Sequence, residues 1–212
     1  ASDVYKRQQS YNFIEDYEIS FMIVFIVLVT LLTLYIVYEN HTRNKELLKY
    51  AQTDALTGLY NKETTEQLTD ELLSEDENKY HAFLILDVDC FKQINDIYGH
   101  AVGDIVLQKF GKLLKGTFRE GDILGRIGGD EFGVIMKNIQ TKDIAMKKAE
   151  ELLAKTQAYK IDELKGNNIS ISIGISTAPQ DGDCYMDLYK RADQALYQAK
   201  RSGKARVCNY FS

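Results

Sequence analysis

Between Arg126 and Gly133 the chain reads Arg126-Ile127-Gly128-Gly129-Asp130-Glu131-Phe132-Gly133, a glycine pair running straight into two carboxylates with β-favouring residues on both sides. That order predicts a β-hairpin whose tip can hold metal and phosphate. An isolated Gly-Gly-Asp is more often a solvated turn. A second acidic cluster upstream shifts the balance. Phe83-Leu84-Ile85-Leu86 is a short unbroken apolar run, as expected of a strand buried on both faces, and it ends in Asp87-Val88-Asp89. Carboxylates at the end of a buried strand are costly unless paired, and a cation is the usual partner. If this strand and the hairpin are neighbours in one sheet, Asp87 and Asp130 converge. Two hard oxygen ligands plus a substrate phosphate is a common way to hold magnesium. Helix capping is the alternative, and it suits Asp89 better than the whole set.

The chain of 212 residues has room for one domain of ordinary size and a short appendage. A net charge of −5 argues against nonspecific binding of nucleic acid. Cys90, Cys184 and Cys208 are scattered and lack Cys-x-x-Cys spacing, so neither a disulfide framework nor zinc is implied, and a reducing compartment fits. Residues 19–38 are twenty consecutive uncharged positions rich in Ile, Val, Leu and Phe, long enough for a transmembrane helix. A buried soluble helix would be unusually apolar around its whole circumference, and a signal peptide would have a shorter apolar region followed by a small-residue cleavage site. Glu15, Asp16 and Glu18 precede the span, and Arg43, Lys45 and Lys49 follow it; the positive flank places the carboxyl-terminal part in the cytoplasm, although Lys6 and Arg7 oppose this. The expected localisation is therefore the inner (plasma) membrane. Residues 1–18 read as an extracytoplasmic or artefactual fragment, since the chain starts with Ala and the stretch 1–8 looks like a translated assembly artefact.

Residues 39–52 are charged with apolar positions at Leu47, Leu48 and Ala51, which fits either a solvated connector or a signalling helix that pairs two copies. From 53 to 212 helix and strand patterns alternate. Val106, Phe110, Leu113 and Leu114 share a helical face, as do Ala145, Ala149, Leu152 and Leu153, and Leu188, Ala192, Ala195, Leu196 and Ala199. Strands are expected near 82–89, 123–127, 131–136, 169–176 and 205–210, giving an α+β arrangement of helices against a mixed sheet.

The run from Asp87 to Asp104, taken with Arg126–Phe132, closely resembles the GGDEF family of diguanylate cyclases. Further pieces follow in order: Asp54-Ala55-Leu56-Thr57-Gly58-Leu59-Tyr60-Asn61, Ser170-Ile171-Ser172-Ile173-Gly174, and Ala192 through Lys200. The resemblance covers about three quarters of the chain, residues 53–207. It implies a ferredoxin-like, nucleotide-cyclase-type sheet of about five strands flanked by helices, here preceded by one transmembrane helix. It implies condensation of two GTP into cyclic di-GMP with release of two pyrophosphates, by a homodimer in which each copy holds one GTP.

By the same resemblance Asp87, Asp130 and the carbonyl of Val88 bind magnesium, with manganese as a substitute. Asp130 is also the family's proton acceptor, although a metal-bound carboxylate is a poor base and lowered hydroxyl acidity can do the same work. Glu131 supports the hairpin electrostatically, and Gly128 and Gly129 line the substrate. Asn95 and Asp104 match the guanine readers: an amide can donate to and accept from the guanine edge, and a carboxylate accepts its N–H groups. His100 falls at a substrate-contact position, with an ordinary packing role as the alternative. Lys92 matches the transition-state lysine, and Lys200 and Lys204 resemble the phosphate-binding pair. Cys90 stands where an aromatic is common, and Lys204-Ala205 replaces a common Arg-Asn; both departures bear on affinity. Arg119-Glu120-Gly121-Asp122 matches the inhibitory site for cyclic di-GMP in type and spacing, a surface ion pair being the alternative. Two other readings stay open: a catalytically silent GGDEF domain that binds GTP or cyclic di-GMP, and a cyclase closing one nucleotide on itself.

Overall fold

The computed structural model describes residues 17, 20–22, 25–43, 51–75 and 79–210. The expectations for residues 1–16 and for Leu47 and Leu48 lie outside these. The chain divides into two compact units, Ala1–Ala51 and Gln52–Ser212.

In the first unit, α1 (Ser20–Arg43) is long and apolar enough to cross a membrane, with a mean hydropathy of 2.8 over its most apolar window. Phe21 and Leu34 are each 67% exposed, so water would meet a large apolar surface. The hydroxyls of Thr30 and Thr33 donate to the carbonyls of Val27 and Thr30, so both are satisfied within the helix.

In the second unit a five-stranded sheet runs in the order β2-β3-β1-β4-β5, formed by β1 (His81–Val88), β2 (Ile123–Arg126), β3 (Glu131–Met136), β4 (Ile171–Ala178) and β5 (Val207–Asn209). Strand β1 is antiparallel to β3 and β4, and β5 alone joins in parallel. All eight residues of β1 are buried because helices cover both faces. Ala82, Leu84, Leu86 and Val88 face α4 (His100–Thr117) and α5 (Lys142–Ala158), where Phe110 meets Phe132 edge to face with ring centroids 4.9 Å apart. Such a pair adds about 0.5–1.5 kcal/mol beyond the area it buries. Phe83 and Ile85 face α2 (Lys62–Glu75) and α6 (Tyr185–Arg201).

Strand β4 alternates large and small: Ile171, Ile173 and Ile175 fill the first layer, and Ser172, Gly174 and Ser176 turn toward α6. The small face lets that helix approach closely. A Cβ on Gly174 would stand 2.1 Å from the Ala192 carbonyl oxygen and 2.3 Å from the Leu196 nitrogen.

The mixed sheet and its flanking helices match the expected fold class, with β4 shifted to 171–178 and β5 shorter than expected. Helices α2 and α3 (Phe91–Tyr98) depart from a plain buried apolar stripe, although Phe91, Ile94 and Tyr98 of α3 pack half-buried against the first layer. The buried face of α2 is largely threonine, and Thr65 and Thr69 satisfy their hydroxyls on the carbonyls of Asn61 and Thr65. No residue of α3 is fully buried.

Candidate active site

The clustered acids lie at the ends of two neighbouring strands, Asp87 and Asp89 at the end of β1 and Asp130 and Glu131 at the start of β3. Strand register pairs Asp87 of β1 directly with Glu131 of β3, so the two side chains share one face of the sheet. The tip of the β2–β3 hairpin is closed by the Glu131 carbonyl, which accepts from the N–H groups of Ile127 and Gly128 at 3.0 and 3.2 Å. The Asp130 carbonyl accepts from Val88 N–H at 3.2 Å, tying that tip to the end of β1.

The two glycines of the tip do not have positive φ. A Cβ on Gly128 would lie 2.9 Å from Glu131 Oε2 and 3.1 Å from Glu131 Cβ, so a side chain there would push Glu131 aside, and Gly129 faces open space. A backbone this bare admits close approach of a ligand.

Burial raises the Asp87 carboxyl above the usual carboxylate range; Lys200 opposes that shift, and Asp130 and Asp89 add to it. Glu131 is likewise raised, by burial first and then by the charge of Asp87. The Lys200 ammonium, from the last turn of α6, sits 2.6 Å from Asp87 Oδ2. One ammonium against three crowded carboxylates leaves an excess of negative charge that a hard divalent cation fits. Glu131 lies directly across from Asp87 in the strand register.

Asp89 does not cap a helix. The residue preceding α3 is Cys90, which makes no side-chain capping bond, and Asp89 accepts instead from Ser170, Ser172 and Ala205. Lys204 lies beside the same strand end, its ammonium 3.1 Å from Cys90 Sγ.

On the other side of β1, α3 and α4 meet at Gly99, whose N–H donates to the Asn95 carbonyl at 2.9 Å. Asn95 Oδ1 is buried without a hydrogen-bond partner and lies where a Cβ on Gly103 would collide with it. Lys92, His100 and Asp104 are exposed on these two helices.

Asp54 and Arg126 were not singled out as site residues. Arg126 donates through Nη1 to both Asp54 oxygens, at 3.2 and 3.1 Å, and through Nε and Nη2 to the Gly129 carbonyl, at 3.2 and 2.7 Å. Asp54 Oδ1 also accepts from Thr57 N–H and Oγ1. The hairpin tip is thereby clamped to the segment that begins the domain. Asp-x-x-Thr announces a local turn in the sequence, but its partner 72 residues away leaves no such mark.

Arg119 and Asp122 are at the opposite end of the hairpin, roughly 20 Å off at strand rise. Asp122 is buried and accepts from the N–H groups of Arg119 and Lys137, and Arg119 Nε donates to it at 3.0 Å. Arg119 also donates to the Lys137 carbonyl, and a cavity of about 570 Å³ is lined by Arg119, Asp122, Phe118, Met136 and Lys148.

An antiparallel-centred sheet with acidic groups at a hairpin tip, a basic helix end and a buried amide nearby defines a ferredoxin-like nucleotide-cyclase-type domain. Residues 51–206 match the family described as diguanylate cyclase, GGDEF domain, and the chain belongs to that family. Diguanylate cyclase A of Treponema denticola is 37% identical over 170 residues, covering 77% of this chain and 46% of that protein. The response regulator PleD of Caulobacter vibrioides is 37% identical over 177 residues, covering 80% and 39%. The chain thus spans about half the length, or less, of these curated relatives. Among solved structures, the GGDEF domain of TpbB from Pseudomonas aeruginosa superposes with a TM-score of 0.71 at 33% identity, covering 75% of this chain and 94% of that one. The active GGEEF domain of a diguanylate cyclase from Vibrio cholerae gives 0.67 at 29%, covering 72% and 97%.

Proposed function

We propose that this chain is a diguanylate cyclase that condenses two GTP into cyclic di-GMP and two pyrophosphates, working as a membrane-anchored homodimer under product feedback. The observation that carries the reading is the convergence of Asp87, Glu131 and Asp130 with Lys200 at the joined ends of β1 and the hairpin. In the reaction, the 3′-hydroxyl of one GTP attacks the α-phosphorus of the other and pyrophosphate leaves; a second attack in the reverse sense closes the ring. Positioning and charge neutralisation supply most of the rate enhancement for such transfers.

Asp87, Asp130, Glu131 and the Val88 carbonyl would hold magnesium or manganese, which supplies Lewis-acid stabilisation of the phosphates when bound. Lys92, Lys200 and Lys204 neutralise charge on the phosphates. Asn95 and Asp104 read the guanine edge, and His100 lies at the entrance of the same helix pair. Asp130 accepts the hydroxyl proton. Each domain holds one GTP, so two must face each other. Arg119 and Asp122 hold product at the distant cavity, and α1 anchors the chain with the catalytic domain in the cytoplasm.

The test is incubation of the purified protein with GTP and magnesium, with product identified by mass. Cyclic di-GMP is expected; a cyclic mononucleotide or no turnover would sink the reading. Asp87→Ala and Asp130→Ala are each expected to abolish turnover, a loss of several kcal/mol of transition-state stabilisation; magnesium is expected to raise the thermal midpoint of the wild type and of neither variant.

A further inference from the structure

We propose that Asp89 is a positioning residue for the phosphate end of the substrate, anchoring the turn that carries Lys204. The proposal rests on the phosphate-binding role given to Lys204 above. Asp89 follows β1, is only 7% exposed, and is committed to the protein on both oxygens. Oδ2 accepts from Ser170 Oγ at 2.6 Å and from Ala205 N–H at 3.2 Å, and Oδ1 accepts from Ser172 Oγ at 2.7 Å. Its own N–H donates to the Ser170 carbonyl at 2.8 Å. The two serines belong to the β4 end of the sheet, so the carboxylate ties that rigid frame to a turn beyond α6.

That turn needs an anchor. Lys204 and Ala205 are consecutive residues with φ of 61° and 49°, in the left-handed region. For residues with a Cβ this conformation costs about 1–2 kcal/mol each, and it persists only where the surroundings enforce it. Lys204 N–H bonds the Ala199 carbonyl at 3.1 Å, and Ile173 N–H bonds the Arg206 carbonyl at 2.9 Å. Asp89 holds the residue between these two points, at the Ala205 N–H. With the turn so fixed, the Lys204 ammonium rests against Cys90 and feels the charges of Asp89 and Asp87. Released, the same lysine would sweep the solvent on a four-carbon stem and meet phosphate at an entropic cost.

Steady-state kinetics on Asp89→Asn, Lys204→Ala and the double variant test this. Asparagine replaces one acceptor oxygen by a donor facing donors. Asp89→Asn is expected to raise KM for GTP about five- to tenfold, the net worth of one ordinary hydrogen bond, with kcat within about twofold. The double variant should have the KM of Lys204→Ala alone, because Asp89 acts through Lys204. Ala205→Asn, which adopts the left-handed conformation more readily, should restore KM in the Asp89→Asn background, and should restore folding if that variant is unstable by itself. An additive double variant, a loss confined to kcat, or an unchanged KM in Asp89→Asn overturns the proposal while leaving Lys204 as a phosphate group. An unchanged KM in Lys204→Ala overturns both.

Discussion

Asp54 and Arg126 make the hairpin tip depend on a residue from the start of the domain, and that dependence has a pH signature. Burial disfavours the Asp54 carboxylate, but hydrogen bonds from Thr57 and the pairing with Arg126 outweigh it and hold the carboxyl below its usual value. A carboxyl depressed in the folded state contributes stability that is present above its unfolded value, about pH 4, and is lost as pH falls through the folded one. Asp54→Asn should therefore cost about 1–2 kcal/mol near neutrality and flatten the fall in thermal midpoint below about pH 4. Parallel curves for variant and wild type would mean the pair contributes nothing. At this scale the sequence was legible where chemistry is local: the Asp-Val-Asp and Gly-Gly-Asp-Glu runs mark their own importance. It was opaque where a partner is remote. Nothing near Asp89 announces Ser170, Ser172 or Ala205, so a helix cap was the natural reading. Likewise nothing near Glu131 announces that the β1–β3 register sets it opposite Asp87.

Among the elements, α6 is the one whose placement the site cannot spare, because it carries Lys200 to Asp87. Its distance from the sheet is fixed by Gly174, where an added methyl would strike backbone atoms of Ala192 and Leu196 that no rotamer change can move. Gly174→Ala is expected to destabilise the domain by about 2–3 kcal/mol and to lower kcat/KM even at temperatures where the protein stays folded. Gly129→Ala makes the opposite pair of outcomes. Its Cβ would enter open space, so thermal stability should change by less than about 0.5 kcal/mol, and any loss of activity then reports approach of the substrate to the tip. A large drop in melting temperature for Gly129→Ala would contradict this. The elements with apolar periodicity, α4, α5, α6 and the central strands, were readable in advance. Helix α2 was not, because it buries threonines whose hydroxyls bond back along the helix, and periodicity counts those as polar.

For the molecule as a whole, the proposed reaction needs two copies, and specific activity should rise steeply with protein concentration, then level off in a form held together through 39–52. Activity independent of concentration across the monomer–dimer range would contradict a shared site. Feedback belongs to this scale too. Arg119 is at the far end of the hairpin, so Arg119→Ala should relieve slowing by accumulated cyclic di-GMP and leave the initial rate intact; equal inhibition of variant and wild type would reduce Arg119 and Asp122 to a surface pair.

The clamp at Arg126 has a further consequence for how copies can meet. Along β2 the entering chain is already stitched on, through Tyr60 N–H to the Leu124 carbonyl and Arg126 N–H to the Tyr60 carbonyl, at 3.0 and 2.8 Å. At the other border β5 offers only three residues. With one border bridged at Tyr60 and the other ending in so short a strand, the sheet gives a second copy little ladder to extend. If two copies meet as proposed, these borders favour reversible, face-to-face encounter over strand exchange.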